Sequence, residues 1–255
     1  MSGAEEWDAA GLVSGSADAP VTHLHLAVDA VLDTADEAIA VGAGMLLTHH
    51  PLLMRGVTTV AEDRYKGAVI ARLIRANCAL LAAHTNADVV ESGTSATLAQ
   101  RLGLVSVEPI EVGETPSRGV GRVGNLATPT TLGRLARVLG DILPATAGGV
   151  LASGEYDAPI SRVALCAGAG DAYLRAPAVL GADVFITSDL RHHPASEFRE
   201  NARVAGGPAL INVSHWASEW LWLESAAGEL RAALPELTIT VSELRTDPWD
   251  FMVVQ

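Results

Sequence analysis

The stretch DTADEAIAVGAGMLLTHHP, residues 33–51, decides how this chain is read. Residues 33–44 have the marks of a helix: Asp33 or Thr34 to cap it, Asp36 and Glu37 in its first turn, and Gly42 or Gly44 to stop it. The apolar run Met45, Leu46, Leu47 then forms a short strand, 45–48, which ends on two adjacent histidines and a proline. Helix, glycine stop and strand in that order make the repeating unit of an α/β sheet. Ligands of such sheets bind beyond the carboxyl ends of the strands, which is where His49 and His50 stand.

The same alternation extends in both directions. HLHLAVD (23–29) is a strand, YKGAVIARLIRAN (65–77) a helix with Val69, Ile70, Leu73 and Ile74 on one face, ALLAAHT (79–85) a strand and TSATLAQRLG (94–103) a helix. Residues 105–160 are rich in Gly, Pro and Thr and show one clear helix, 130–142. Alternation resumes with a strand at 162–168, a helix-like segment at 170–181 limited by Pro177, and strands at 183–189 and 209–214. A long helix at 217–235 and a last strand at 238–244 complete it. The expected fold is α/β, with mainly parallel or mixed sheets flanked by helices. Residues 1–255 are expected to form one unit with two lobes, 1–105 plus 210–255, and 106–209.

Composition narrows the function. The 255 residues are 49% hydrophobic, enough for a sizeable core, and carry a formal charge of −13, which argues against non-specific binding to a nucleic-acid backbone. The acidic opening MSGAEEWD gives no secretory signal, and no run approaches the roughly 20 apolar residues that span a bilayer. A soluble, cytoplasmic protein without membrane contact is expected. Cys78 and Cys166 sit in apolar strand contexts and read as small buried hydrophobes, with no CxxC and no disulfide framework.

Four strands end in groups that ionise or bind metal. The first gives His49 and His50; the second His84, Asn86 and Asp88; the third Asp189, His192 and His193; the fourth His215 and Glu219. His215 and Glu219 are four apart at a helix start and so share a helical face. Imidazole and carboxylate donors suit zinc, iron, manganese, cobalt or nickel. Two such ions need five or six protein donors, and His49, His50, Asp88, His215 and Glu219 supply that number.

EEWDAAGL (5–12), GAGMLLTHHPLLMRGV (42–57), AAHTNAD (82–88), VFITSDLRHHPASE (184–197) and INVSHWASE (211–219) resemble the Nif-three-like family, whose members carry the name GTP cyclohydrolase 1 type 2 homologue. The resemblance covers nearly the whole chain. It implies an α/β fold around a dinuclear metal centre, often assembled as a toroidal homohexamer. By motif, the family's metal ligands fall on His49, His50, Asp88, His215 and Glu219. His84, Asn86, Asp189, His192, His193 and Arg55 are then supporting or substrate-side groups. The chain departs from the family pattern at Ala9, where Asn is usual, and at Ser188 and Arg191 of SDLRHH. Some relatives carry an inserted domain in the middle, for which residues 105–160 have no room.

Other signals have simpler readings. His23 and His25 precede the apolar part of their strand and read as solvated or edge residues. GVGRVG (119–124) matches a dinucleotide fingerprint but is followed by NLATPTT rather than a helix. AGAGD (167–171) lies between strand and helix and reads as a tight turn or a phosphate cradle. Asp29 is either a helix cap or a site-facing carboxylate. Trp216, Trp220 and Trp222 read as packing groups.

Two functions follow. The first is a two-metal hydrolase acting on a nucleotide or another phosphorylated small molecule. No side chain is assigned as catalytic; a water activated by the ions does the work. The second is a non-catalytic metal-handling protein or interaction scaffold.

Overall fold

The computed structural model describes residues 3–254. In chain order it begins β1 (Gly11–Ser14), β2 (His23–Ala27), α1 (Leu32–Ala40), β3 (Met45–Thr48), α2 (Tyr65–Arg75), β4 (Ala79–Ala82) and the single turn α3 (Thr85–Asp88). Next come α4 (Thr94–Arg101), β5 (Leu104–Glu108), β6 (Glu111–Val112), β7 (Gly119–Val120), β8 (Arg122–Thr131), α5 (Leu132–Ile142), β9 (Leu151–Ser153) and β10 (Pro159–Ala169). The last elements are α6 (Pro177–Leu180), β11 (Val184–Ser188), α7 (His192–Ala205), β12 (Ala209–Val213), α8 (His215–Ala233) and β13 (Thr238–Val241). They form two compact units, one running up to Ala87 and including Leu223–Thr246, the other comprising Asp88–Trp222 and the segment from Asp247 on. The sequence reading sets the breaks at 105 and 210 instead.

The first unit is built on a five-stranded sheet, β1-β4-β3-β2-β13. All neighbours pair in parallel except β1, which runs antiparallel to β4. Parallel neighbours need crossovers, and α1 and α2 supply them. Leu46, Leu80, Val69, Leu73, Ala35 and Ala38 close the core between these helices and the sheet. Each large aliphatic side chain buried there contributes about 1.5–3 kcal/mol. Ala27, Thr48 and Ala82 are register partners, so β2, β3 and β4 end level with one another.

The second unit has a six-stranded mixed sheet, β5-β8-β10-β11-β12-β9, and a small β6–β7 hairpin. Here β10, β11 and β12 are parallel, while β5, β8 and β9 join antiparallel. Phe185, Ala164, Val123, Leu210 and Phe198 lie in its core. Ala169, Ser188 and Val213 are aligned across the three parallel strands.

Several local expectations change. Region 105–160 holds most of five strands, four of them short, as well as α5. They escape a periodicity reading because β8 carries Pro129 and skips register against β10, where Thr130 faces Ile160 but Asn125 faces Arg162. A proline is tolerated in such a bulge. GVGRVG forms β7, a turn and the start of β8. Pro177 begins α6 rather than limiting a helix, because the first helical position needs no N–H. Helix α1 starts at Leu32 behind Val31, with the Thr34 hydroxyl accepting the Val31 N–H. Helix α7 has no apolar stripe in the sequence; it is polar, and Phe198 is its buried side chain.

His25 is the clearest correction. It is 2% exposed on β2, not solvated. Its Nε2–H donates to Glu37 Oε2 at 3.0 Å, and its Nδ1 pairs with Thr240 Oγ1 at 2.8 Å, where His23 Nε2 also meets that hydroxyl at 2.9 Å. A chain of polar contacts thus ties β2, β13 and α1 together. Replacing His25 with Leu leaves Glu37 and Thr240 without the imidazole. It is expected to cost about 1–3 kcal/mol, read as a lower urea midpoint with an unchanged slope.

Candidate metal site

In the first unit the level strand ends deliver three imidazoles. Backbone N–H groups of His49 and His50 donate to the Ala27 and Val28 carbonyls, and Ala83 N–H to the Thr48 carbonyl, which extends the ladder to the two histidines. One nitrogen from each of His49, His50 and His84 lies within 4.8 Å of the others. Ring centroids are 5.0–5.7 Å apart. His49 is fully buried.

Each ring is held from behind. His49 Nδ1–H donates to the Ala83 carbonyl at 2.9 Å, His50 Nδ1 pairs with Asp29 Oδ1 at 2.7 Å, and His84 Nδ1 with Asp8 Oδ1 at 2.8 Å. An oxygen acceptor at Nδ1 fixes the neutral tautomer in which Nε2 carries the lone pair, as in metal-ligating histidines. The orienting carboxylates are themselves secured: Thr246 Oγ1 donates to Asp29, and the Thr85 amide and hydroxyl to Asp8. Burial alone would raise the Asp8 carboxyl, but the hydrogen bonds from Thr85 and His84 outweigh it and hold it below the usual value.

In the second unit His215 opens α8. Its Nδ1 lies 2.7 Å from Asp189 Oδ2 and its Nε2 2.9 Å from Glu219 Oε1. Burial opposes a charge on this ring, but the Glu219 carboxylate and the bond to Asp189 overcome it and lift its pKa to about 11. Glu219 is buried. Both ring nitrogens thus face carboxylates, one of them buried, an acidic setting that suits a cation. Asp189 takes a left-handed backbone, φ 56°, to reach the ring, a conformation uncommon outside glycine.

The AGAGD loop closes against this pair. Gly168, at φ 70°, packs so tightly that a Cβ there would stand 2.3 Å from Glu219 Oε1 and 3.2 Å from His215 Nε2. Its N–H donates to Ser218 Oγ and its carbonyl accepts from Thr187 Oγ1. The loop lies against a carboxylate with that amide occupied, which favours the tight-turn reading over a phosphate cradle. Asp88 Oδ1 accepts from Thr94 Oγ1. Cys166 is raised first by burial and then by the Asp88 and Glu219 charges, which brings both carboxylates within electrostatic reach of one thiol.

The remaining sequence candidates are placed as follows. His84, read as a supporting group, has the geometry of a donor equal to His49 and His50. Asn86 Oδ1 accepts the His84 N–H and so shapes the start of α3. His192 and His193 are exposed on the first turn of α7, with rings 5.2 Å apart. Arg55 is exposed on the loop after β3. Asp88, His192 and His193 join no group of three metal-competent donors among the described residues. Sequence reasoning missed Asp8 and Gly168. Asp8 stands inside EEWD, where its carboxylate gave no strand-end signal, and Gly168 looked like any turn glycine.

Two outcomes follow. Gly168→Ala is expected to displace Glu219 or strain the loop by about 1–3 kcal/mol, seen as a lower melting temperature. The depressed Asp8 carboxyl contributes stability that is present above its unfolded pKa, near 4, and is lost as pH falls through the lower folded value. Asp8→Asn should therefore destabilise the protein at pH 6 and make progressively less difference below about pH 4, measured by thermal melts.

A model of the family described as Duf34/NIF3 (NGG1p interacting factor 3) matches residues 1–248. The chain is 43% identical over 253 residues to the "GTP cyclohydrolase 1 type 2 homolog" of Streptomyces coelicolor, covering 96% of this chain and 87% of that one. It is 32% identical to the protein of the same name from Mycobacterium leprae, covering 97% and 91%. Among solved structures, a hypothetical protein of Staphylococcus aureus superposes with a TM-score of 0.87 at 27% identity, covering 99% of this chain and 94% of that one.

Proposed function

The chain belongs to the Duf34/NIF3 family, and from that premise we propose that it holds two divalent transition-metal ions through His49, His50, Asp88, His215 and Glu219, with His84 as a further donor. The observation that carries this reading is the repeated support of the imidazoles: in all four, Nδ1 meets an oxygen acceptor, and the Nε2 of His215 is turned to the buried Glu219 carboxylate. Structural histidines need no such uniform orientation; metal donors do.

The activity we infer is hydrolysis of a nucleotide or another phosphorylated small molecule. The name shared by the relatives, GTP cyclohydrolase 1 type 2 homolog, points the same way. Paired ions in such a site lower the pKa of water and offset negative charge developing on the substrate. The chain's own residues keep the donors ready. Ala83, Asp29, Asp8 and Asp189 orient the rings, and Gly168 lets the backbone approach Glu219. Covalent catalysis through a thiol is disfavoured, since Cys78 and Cys166 are buried and both are shifted toward the neutral form. No helix among the described residues is long and apolar enough to cross a membrane. Assembly as a toroidal hexamer and a cytoplasmic location belong to the same proposal.

The test is metal analysis of protein purified without chelators, coupled to a screen of nucleotides and phosphoesters. About two ions per chain are expected, falling together with turnover in His49→Ala and Glu219→Ala. Wild-type protein that retains less than one ion and does not change on mutation would overturn the metal reading. Full metal retention with no turnover would overturn the hydrolase and leave metal handling.

A further inference from the structure

We propose that the segment PWDFMVV, residues 248–254, of one chain docks into a groove along α7 of a second copy. The inference makes no use of the metal reading. It rests on the assembly proposed above and names a contact that builds it.

Trp249, Phe251, Met252, Val253 and Val254 are 57–81% exposed. Five of the six residues 249–254 are thus apolar and left in water, on a stretch that forms neither helix nor strand. Contiguous exposed apolar surface marks an interaction site, and Trp, Phe and Met are enriched in protein interfaces. The start of the segment is fastened. Asp247 Oδ2 accepts from Ser214 Oγ, and its Oδ1 accepts from the Trp249 N–H at 3.1 Å.

The same compact unit carries the receptor. A cavity of about 780 Å³ is lined by Leu174, Arg175 and Leu180 and by Pro194, Phe198 and Ala202 of α7. That is room for several side chains. An adjoining cavity of about 690 Å³ shares Leu180 and Ala202 and adds Arg199. The chain's own segment fills neither, since its apolar side chains stay exposed. Charge complementarity selects the same segment from another copy. Asp250 is the one charge among the apolar residues of the segment, and Arg199 follows Phe198 on α7; neither side chain has an ion pair among the described residues. Of the acids lining the two cavities, Glu197 meets Arg175, Asp171 meets Arg191, and Asp183 accepts two backbone N–H groups. Glu155 is left, and it lines the Arg199 cavity, not the larger one. The apolar side chains therefore belong in the larger cavity, with Asp250 toward Arg199.

The test is sedimentation velocity of the full chain, joined to a peptide titration. The double variant Trp249→Ser, Phe251→Ser changes exposed side chains only and is expected to sediment as a smaller species than wild type at equal chain concentration. The synthetic peptide PWDFMVV should bind that double variant, whose groove is intact. Adding Ala202→Trp, which fills the groove, should weaken the peptide about tenfold or more. Asp250→Arg should also shrink the assembly, and Arg199→Asp in the same chain should restore it. An assembled wild type whose size the double variant keeps would overturn the contact and leave assembly through another surface. A monomeric wild type would overturn the assembly and the contact together. Absent peptide binding, peptide affinity indifferent to Ala202→Trp, or no rescue by the charge exchange would each overturn the docking proposed here.

Discussion

An imidazole is a poor metal donor until something decides which nitrogen is bare and where it points. In this chain an oxygen atom makes that decision repeatedly: a main-chain carbonyl for His49, and the carboxylates of Asp29, Asp8 and Asp189 for His50, His84 and His215. Hydrogen bonds to charged partners are worth about 1.5–3 kcal/mol each, enough to hold a ring against rotation about its side-chain bonds. The carboxylates cannot drift either. Asp29 and Asp8 are secured by threonines from other parts of the sequence, and Asp189 by an unusual backbone conformation at the end of β11. The orientation of the four rings depends on these oxygens.

Their placement is a property of parallel sheets. Level strand ends bring together residues that are far apart in sequence, and the ladder contacts of His49 and His50 continue that alignment past the last strand residue. In the second unit the same rule brings the Gly168 loop, Asp189 and the start of α8 to one end of β10, β11 and β12. This is why the candidate donors stand out in the sequence. A short apolar run broken by His-His, and a His four before a Glu at a helix start, are local signals that survive without any knowledge of the partners.

What was not legible had a physical reason in each case. The bulged β8 hid behind Gly, Thr and Pro, because a strand that skips register does not alternate. Helix α7 gave no apolar stripe, because Phe198 is its buried side chain. His25 read as a surface residue because an isolated imidazole carries no mark of the Glu37 and Thr240 that accompany it into the interior. Asp8 could not be connected to His84, some 76 positions later, by spacing alone. Candidate donors announce themselves by residue type, whereas the groups that orient them are ordinary acids and carbonyls that only the fold makes significant.

The two thiols have a practical consequence. Cys78 and Cys166 are buried, unpaired with each other, and shifted toward the protonated form that alkylating reagents attack slowly. One belongs to each compact unit. Their labelling rates thus form a pair of internal clocks, each started only when its own sheet opens, so mass spectrometry of the two peptides can time the loosening of either half separately without an engineered probe.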